Sequence, residues 1–486
     1  MTRATPASWI VRCVGLALLL GVAGPHAVGA ILDALLAIQF PFGIDYAEGV
    51  VWQQALQVPG PNAYSIGTAL PFTVFNYPPL YYLLVHAVAS HTLDLLVAGR
   101  TVSTLSTGVF AGLAGLIVFQ AASVRTPLRL RWACAALTTL LVLCIPNIRA
   151  FGFLMRVDML ANALGLLALL IAFTGRPGLL RTSAALIVAT LAVFTKQTEF
   201  AAGLTVAAVG LRFQPRSTLV AGLLVGGAGL TMVAVLQHIT HGGFLRHLVI
   251  YNINRYDWED WVGVIAGERD NLPLIGAVLV VAIIELSKAR RAGLPRLATA
   301  VPVFLVLNLW TIAGLGKSGA NYNYLNSLYG AGSMMVGIGL AHLLSGPRQE
   351  VVIGTSITVV LAVWIALLPV RRVQAFLDTQ APNAQAALVR MIAATSKAVV
   401  SDDLVLLLRA GREPLYEPAI ITEVAIMGWW DEQPLIDLIN QGGVAFAISE
   451  RESLDDARRS PGVLAAMQAA FPRTRQITGR HWLHEP

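Results

Sequence analysis

The chain has 486 residues, of which 56% are hydrophobic and only 13% are charged, so a water-soluble fold of this length could not bury its apolar surface. The net charge of +7 comes from Lys and Arg residues in small groups at the ends of apolar blocks, without a basic stripe, which argues against nucleic-acid binding. The blocks are long enough to cross a hydrocarbon layer about 30 Å thick. The sequence therefore predicts an all-α polytopic membrane protein.

Eleven apolar blocks are predicted to span the membrane: 9–31, 95–120, 132–147, 156–174, 180–195, 198–212, 217–237, 272–287, 298–314, 325–345 and 351–369. Lys and Arg concentrate in short cytoplasmic connections, so the basic residues indicate a cytoplasmic N-terminus. With that orientation the inner ends carry Arg3, Arg12, Arg125, Arg129, Arg131, Arg176, Arg181, Arg212, Arg216, Lys288, Arg290, Arg291, Arg296 and Arg348. The C-terminus is then outside, and we expect a bacterial inner membrane with the working face on the periplasmic side.

The apolar stretch 77–93 decides the orientation of everything that follows it. A further span there would move every later basic group to the outside, against the alternation of Lys and Arg. We therefore predict an interfacial or partly inserted helix on the outer side, with Arg100 near the outer end of the second span.

The predicted membrane region covers residues 1–370, with outer loops at 39–94 and 238–271. Residues 371–486 are mixed and charged, and they predict a small α/β appendage on the outer side. Within the appendage we expect strands at 404–408 and 444–448, and helices at 419–429, 433–440 and 462–470.

The first outer loop opens with two carboxylates three residues apart, in the segment 42–49. If this segment is helical, Asp45 and Glu48 share one face. One interpretation is a solvated helix with Asp45 as its N-cap. The other is a pair of carboxylates that carries chemistry. The spacing alone leaves both open.

Ionisable residues also stand at the ends of predicted spans. Arg156 and Asp158 open one span, and Lys196 and Gln197 lie in a tight outer turn between two others. Charged groups at this depth are costly unless they are paired or hydrated, so they are candidates for function. In the alternative interpretation, Arg156 and Asp158 simply pair, and Lys196 extends toward the lipid headgroups.

Two further outer segments combine aromatic rings with hydrogen-bonding groups. The first surrounds a Pro-Pro pair, contains Tyr77 and Tyr81, and is typical of an interfacial anchor. The second is a glycine-containing turn that could present donors and stacking faces to a sugar, or could be only an interfacial loop. Its candidate residues are Lys317, Asn321, Tyr322 and Tyr324.

In chain order these motifs resemble those of the GT-C membrane glycosyltransferases. The motifs are the acidic segment of the first outer loop, Asn-Tyr-Pro-Pro-Leu-Tyr-Tyr, Arg-Val-Asp-Met, Phe-Thr-Lys-Gln and Gly-Ala-Asn-Tyr-Asn-Tyr. Within that group they resemble the branch with the protein O-mannosyltransferases and the lipid A aminoarabinose and galacturonic acid transferases. The resemblance covers roughly residues 9–370, and the appendage is similar to the outer-side domains of some members.

The resemblance implies a hexosyl- or pentosyltransferase that moves a sugar from a polyprenyl-phosphate donor to a glycolipid, polysaccharide or protein on the outer face, with inversion. It implies that Asp45 is the base and Glu48 a second carboxylate. Relatives often carry an acidic pair further ahead, where this chain has Phe42 and Gly43, so the choice between the two carboxylates stays open. Candidates for binding the lipid phosphate and the rest of the substrate are Arg100, Arg156, Asp158, Lys196, Gln197, Lys317, Asn321, Tyr322, Tyr324, Tyr77 and Tyr81.

Other classes of function are less consistent with the sequence. There is no phosphate-binding glycine-rich loop and no nucleophile elbow. A divalent cation is compatible with the chemistry, but no ligand spacing indicates one, and no other cofactor is expected. The main alternative, a transporter or flippase of lipid-linked saccharides, predicts charges along the middle of the spans. Here Arg156, Lys196 and Lys317 gather at one face. A scaffold that binds a partner would leave these charges unexplained.

Overall fold

The computed structural model describes residues 6–67, 69–90, 94–123, 126–289, 296–455 and 458–486, with backbone only for 6–13 and 288–289. Four of the basic residues that predict the orientation lie outside the described residues: Arg3, Arg125, Arg290 and Arg291. The same holds for the side chains of Arg12 and Lys288.

Helices build the membrane region. They are α1 (Pro6–Gln39), α2 (Tyr46–Gln57), α3 (Leu80–Ala89), α4 (Leu95–Ala121), α5 (Leu128–Cys144), α6 (Pro146–Phe151), α7 (Asp158–Phe173), α8 (Leu179–Thr195), α9 (Ala201–Phe213), α10 (Pro215–Ile239), α11 (Gly243–Leu248), α12 (Trp258–Gly267), α13 (Leu272–Ala289), α14 (Arg296–Asn308), α15 (Trp310–Ala313), α16 (Asn326–Leu343) and α17 (Arg348–Leu367). Short 3₁₀ turns lie at Ile250–Asn252, Glu268–Asn271, Gly314–Gly316 and Tyr322–Leu325.

Each predicted span overlaps one of these helices, so the all-α membrane fold is confirmed. Among the described residues, the helical stretches that are long and apolar enough to cross a membrane are Val14–Gln39, Leu95–Ala121, Pro215–Ile239, Trp258–Ser287, Arg296–Gly316 and Arg348–Leu377. The number of eleven spans stays a prediction.

The helix α3 is ten residues long. At 1.5 Å per residue it covers about 15 Å, half of a hydrocarbon core about 30 Å thick. Two prolines precede it, and they end the extended segment before it. The helix is therefore too short to cross the membrane, as the predicted orientation requires, and its depth in the interface stays a prediction.

Small residues bring the helices of the core close together. Helix α16 is buried along almost its whole length. A side chain at Gly330 would collide with the ring of Phe110 on α4, and one at Gly337 would collide with Thr138 on α5. Without a hydrophobic driving force between helices in lipid, such close backbone approach provides the packing contacts. Helix α16 therefore forms the centre of the bundle.

The appendage is a small α/β unit. Its elements are α18 (Arg372–Leu377), α19 (Pro382–Ala394), β1 (Ala398–Ser401), α20 (Leu404–Arg409), α21 (Pro418–Ile426), α22 (Gln433–Asn440), β2 (Val444–Ser449), α23 (Pro461–Ala470), β3 (Arg473–Gln476) and β4 (Trp482–Glu485). The strand order is β1-β2-β4-β3, with β1 and β2 parallel and the other pairs antiparallel. The strand expected at 444–448 and the three predicted helices are present.

The strand expected at 404–408 is wrong, because these residues form helix α20. The Asp403 side chain accepts a hydrogen bond from the Val405 N–H at 3.0 Å and thereby caps the helix. Residues 404–407 are all buried, so the sequence shows an unbroken apolar run that fits a buried strand and a buried helix equally well. The strand of this region lies just before it, at β1.

The appendage packs tightly on the outer loops of the membrane region. Phe72 of the first outer loop stacks on Trp430 with ring centroids 5.9 Å apart. Helix α2 crosses α20 at Gly49, where a Cβ atom would lie 2.8 Å from the Cβ of Leu404. Only glycine permits this approach. The appendage therefore shares a core with the loops that lead to α2 and α3.

Candidate active site

A cavity of about 440 Å³ opens at one end of the helix bundle. Its wall combines the start of α2, the turn between α8 and α9, some residues of the segments 252–260 and 317–324, and part of the appendage. The segments just before α7 and just after α8 contribute Arg156 and Lys196, so each of these two helices has one end at the cavity. The fold thus brings together segments that are far apart in the chain.

Eight of the residues singled out from the sequence line this cavity: Asp45, Tyr77, Arg156, Lys196, Gln197, Lys317, Asn321 and Tyr324. The others lie behind the wall or away from it: Glu48, Arg100, Asp158, Tyr81 and Tyr322. The two groups have different surroundings, which define what each residue can do.

Asp45 is both the N-cap of α2 and a cavity carboxylate. Its Oδ1 atom accepts a hydrogen bond from the Ala47 N–H at 3.1 Å and one from Arg156 Nη1 at 2.7 Å. The side chain is 23% exposed, and it lies on the cavity wall. The two interpretations that the sequence left open are therefore compatible, because the capping bonds fix a carboxylate that a substrate can still reach.

Glu48 lies behind Asp45 in a closed, fully buried cluster. Both of its carboxylate oxygens pair with Arg100, at 2.7 Å each, and both side chains are fully buried. Glu48 also accepts hydrogen bonds from the backbone N–H groups of Ile44 and Met155. The remaining Arg100 donors bind the carbonyl oxygens of Ala37, Phe40 and Phe42. This cluster ties α1, α2 and α4 together without contacting the cavity.

Asp158 holds two cations under the cavity. It accepts hydrogen bonds from Lys196 Nζ at 2.8 Å and from Asn323 Nδ2 at 2.7 Å, and it lies 3.4 Å from Arg156 Nε. The Lys196 ammonium also sits 4.6 Å from the centre of the Tyr324 ring. Lys196 is almost completely buried, so it does not extend to lipid headgroups. Asp158 therefore orients Arg156 and Lys196 toward the cavity.

Lys317 is the cavity cation with the fewest constraints. Its side chain is partly buried, and among the described residues it forms no salt bridge and no side-chain hydrogen bond. Burial lowers the pKa of Lys317, with the charge of Lys196 adding to the effect and the carboxylate of Glu423 opposing it. The Lys317 ammonium is therefore available to bind an anion in the cavity.

Other candidates have structural surroundings. Gln197 lines the cavity and donates to the carbonyl oxygen of Asn76 at 2.7 Å. Tyr81 is buried and donates to the carbonyl oxygen of Gly99 at 2.9 Å, which joins α3 to α4. The Tyr322 carbonyl accepts a hydrogen bond from Asn147 outside the cavity.

The appendage contributes residues that the sequence did not reveal. Glu417, Glu423 and Arg458 line the cavity together with residues of the membrane region. Glu423 pairs with Arg255 at 2.8 Å and accepts a hydrogen bond from the Ser318 hydroxyl at 2.9 Å. Glu417 caps α21, and burial raises its pKa. No spacing rule connects these residues to the membrane region, so only the fold shows them together.

The arrangement offers a carboxylate and several cations to one bound molecule. A positioned carboxylate can take a proton from a hydroxyl group, and fixed cations stabilise negative charge that grows on a leaving group. Within the described residues no group of three or more His, Cys, Asp or Glu side chains could hold a metal ion. The chemistry that fits is general-base catalysis beside an anion site.

No family model and no curated protein matches this sequence. Solved structures do match its fold. ArnT from Cupriavidus metallidurans, bound to undecaprenyl phosphate, has a TM-score of 0.56 at 15% identity, over 99% of this chain and 98% of that one. An oligosaccharyltransferase from Archaeoglobus fulgidus, tethered with an acceptor peptide, has a TM-score of 0.52 at 11% identity, over 95% and 72% of the two chains.

A further match is the archaeal oligosaccharyltransferase AglB from Archaeoglobus fulgidus, in complex with an inhibitory peptide and a dolichol-phosphate. Its TM-score is 0.50 at 11% identity, over 95% of this chain and 73% of that one. Likeness at such identities establishes the fold. The GT-C fold implied by the sequence motifs is therefore confirmed along nearly the whole chain, appendage included.

Proposed function

We propose that this protein is a membrane glycosyltransferase that uses a polyprenyl-phosphate sugar as its donor. The observation that carries the proposal is the meeting of the Asp45 carboxylate and the Lys317 ammonium in one cavity at the end of an apolar bundle. The polyprenyl chain of the donor lies among the membrane helices, and its phosphate and sugar reach the cavity at the end of the bundle. The cavity thus provides a carboxylate for the acceptor hydroxyl and an ammonium for the donor phosphate.

The reaction is a displacement at the anomeric carbon. An acceptor hydroxyl attacks C1 of the sugar, and its proton passes to Asp45. The bond between C1 and the phosphate oxygen breaks, and the polyprenyl phosphate leaves with the electron pair. Attack from the face opposite the leaving group inverts the configuration at C1. Because C1 gains oxocarbenium character as this bond lengthens, a carboxylate is a sufficient base.

The cations bind the leaving phosphate. Lys317 supplies a charge that is not committed to another described residue, and Arg156 and Lys196 add positive charge within the same cavity. Asp158 keeps these two in place. In a water-poor cavity such fixed charges stabilise the transition state more strongly than they would in water.

The fold likeness supports a lipid-phosphate donor. ArnT was solved with undecaprenyl phosphate and AglB with a dolichol-phosphate, and both share this fold. The acceptor we propose is a lipid, glycan or protein hydroxyl on the outer face. The sugar is a hexose or a pentose.

The direct test is incubation of the purified protein with a panel of radiolabelled polyprenyl-phosphate sugars and a membrane extract that supplies acceptors. We expect one labelled sugar to move into an acceptor in a reaction that releases polyprenyl phosphate. The variant Asp45→Asn is the control for contaminating transferases. Equal labelling with the wild type and this variant would contradict the proposal.

We further propose that the protein lies in a bacterial inner membrane, with a cytoplasmic N-terminus and a periplasmic appendage at 371–486. The support is the alternation of basic residues together with the placement of the cavity at one end of the bundle. A reporter that is active only in the periplasm should be active when it is fused after Pro486. Activity of a cytoplasm-only reporter at the same point would reverse the orientation.

A further inference from the structure

Arg480 links the far end of the chain to the segment before Asp45. It lies in the turn between β3 and β4, and its Nη1 atom donates to the carbonyl oxygens of Gly43, at 3.0 Å, and Ile44, at 3.3 Å. The guanidinium is oriented by Glu450, which accepts from Arg480 Nε at 2.8 Å. Arginine suits this role because its rigid planar fork can serve several acceptors at once.

Two more residues of the appendage hold the residue after Asp45. The Tyr46 hydroxyl donates a hydrogen bond to Glu417. The Arg458 guanidinium lies 4.2 Å from the centre of the Tyr46 ring, and it also pairs with Glu450 at 2.8 Å. Glu450 therefore connects the two arginines that contact the segment on either side of Asp45.

The membrane region holds the same segment from the opposite side. The Ile44 N–H donates to Glu48 Oε2 at 2.8 Å, and Glu48 is fixed by Arg100. The N–H group of Ile44 is thus bound by the membrane region, and its carbonyl group is bound by Arg480 of the appendage. With both of its polar backbone groups bound, residue 44 has little freedom to rotate, and Asp45 is the next residue.

We propose that the appendage positions the catalytic carboxylate, and that Arg480 is the positioning residue. The inference rests on the proposed function, in which Asp45 is the base. Arg480 is not among the residues that line the cavity. It acts through the backbone of residues 43 and 44, so that Asp45 meets the acceptor hydroxyl with the correct distance and angle. The appendage is then part of the catalytic apparatus.

Loss of this contact should reduce turnover more than donor binding. A misplacement of about 1 Å can cost roughly 100-fold in rate, so Arg480→Gln should lower kcat by about 10- to 100-fold. Lys317 lies on a different segment, so the KM for the donor should change by no more than about twofold. Arg480→Lys retains a donor and a charge, and it should recover part of the lost kcat.

Hydrogen–deuterium exchange of residues 40–50 tests the positioning role by a measurement that does not depend on transfer activity. In the full-length protein in detergent, Arg480→Gln should increase exchange in this segment relative to the wild type. The matched control is Arg475→Gln, five residues earlier in strand β3, where the arginine is 63% exposed and lies 3.8 Å from Glu485. We expect the control to match the wild type in exchange, kcat and KM.

The outcomes separate the two proposals. Unchanged exchange at 40–50, or a kcat of Arg480→Gln equal to that of the wild type, would overturn the positioning role. The positioning role would also be overturned if the loss of kcat is explained by a smaller folded fraction, measured by thermal unfolding, and Arg480→Lys does not restore kcat. If exchange rises as expected but the wild type transfers no sugar, the proposed function fails and the contact between Arg480 and the loop stands.

Discussion

At the start of α2, the carboxylates of Asp45 and Glu48 lie three residues apart, and each pairs with an arginine from another segment. The two pairs differ in their surroundings. Glu48 and Arg100 are 2.7 Å apart and fully buried, and Asp45 and Arg156 are also 2.7 Å apart. Asp45 keeps 23% of its side chain exposed, on the cavity wall. The distance between the charges is the same in both pairs, so access to solvent and substrate is what separates them.

The buried pair is closed by backbone groups on every side, and the open pair is not. Glu48 accepts from three backbone N–H groups, those of Ile44, Asp45 and Met155, and Arg100 donates to three backbone carbonyl groups. A buried pair of this kind is expensive to break, because the remaining charge has no water around it. Asp45 therefore remains accessible from the cavity, whereas Glu48 holds the start of α2 in place.

The largest expected effect on the reaction comes from the open pair. Asp45→Asn removes the base, and a general base contributes about 10²–10⁴-fold, so kcat should fall by that order. Asparagine caps helices as well as aspartate does, so the folding of α2 and the donor affinity should be preserved. Steady-state transfer assays, with donor binding and thermal unfolding in parallel, measure all three.

Asp257→Asn is the matched control for this change. Asp257 caps α12 through a hydrogen bond from the Glu259 N–H, and it does not line the cavity. The same chemical substitution at this cap should leave kcat unchanged. If Asp45→Asn retains near-normal transfer, the open carboxylate is not the base.

The buried pair should affect stability instead. Glu48→Gln leaves the Arg100 guanidinium without its counter-charge, and breaking a buried ion pair in this way costs about 3–5 kcal/mol. We expect a much larger loss of thermal stability in detergent than for Asp45→Asn. A stable Glu48→Gln protein with no transfer activity would reverse the roles of the two carboxylates.

The sequence could predict the membrane helices because each is a long apolar block whose backbone must form its own hydrogen bonds in lipid. It also singled out eight of the residues that line the cavity, and among them Asp45, Arg156 and Lys196 lie at span ends that the predicted alternation assigns to the same face of the membrane. Because successive spans cross the membrane in opposite directions, these span ends are expected on the same side. Polar residues at that side then become neighbours.

The appendage could not be predicted to the same degree. The bond from Tyr46 to Glu417 joins residues 371 positions apart, and the bond from Arg480 to Gly43 joins residues 437 positions apart. Neither periodicity nor motif spacing carries information about such contacts. The burial of Glu48 was equally hidden, since its partner Arg100 belongs to another helix. Tertiary packing separated two carboxylates that looked equivalent in the sequence.

A smaller effect is expected at the anion site. Lys317→Ala removes an ammonium without leaving a described carboxylate unpaired, so the change should act on the donor phosphate alone. A charged hydrogen bond contributes about 1.5–3 kcal/mol, and donor affinity should fall accordingly while thermal stability stays the same. The exposed lysine of the appendage, Lys397, gives a control in Lys397→Ala. Unchanged donor affinity in Lys317→Ala would remove Lys317 from the phosphate site.

The smallest expected effect is a dependence of donor affinity on pH. Burial lowers the pKa of Lys317 below that of an ordinary lysine. The ammonium binds phosphate only when it is protonated, so its contribution is present below this pKa and is lost as the pH rises through it. Arginine keeps its charge at every accessible pH. In donor-binding titrations from neutral to alkaline pH, the wild-type Kd should therefore rise, by at most about tenfold per pH unit for one proton, while the Kd of Lys317→Arg stays flat. Parallel profiles for the two proteins would show that Lys317 does not hold the phosphate, and the anion site would then rest on Arg156 and Lys196.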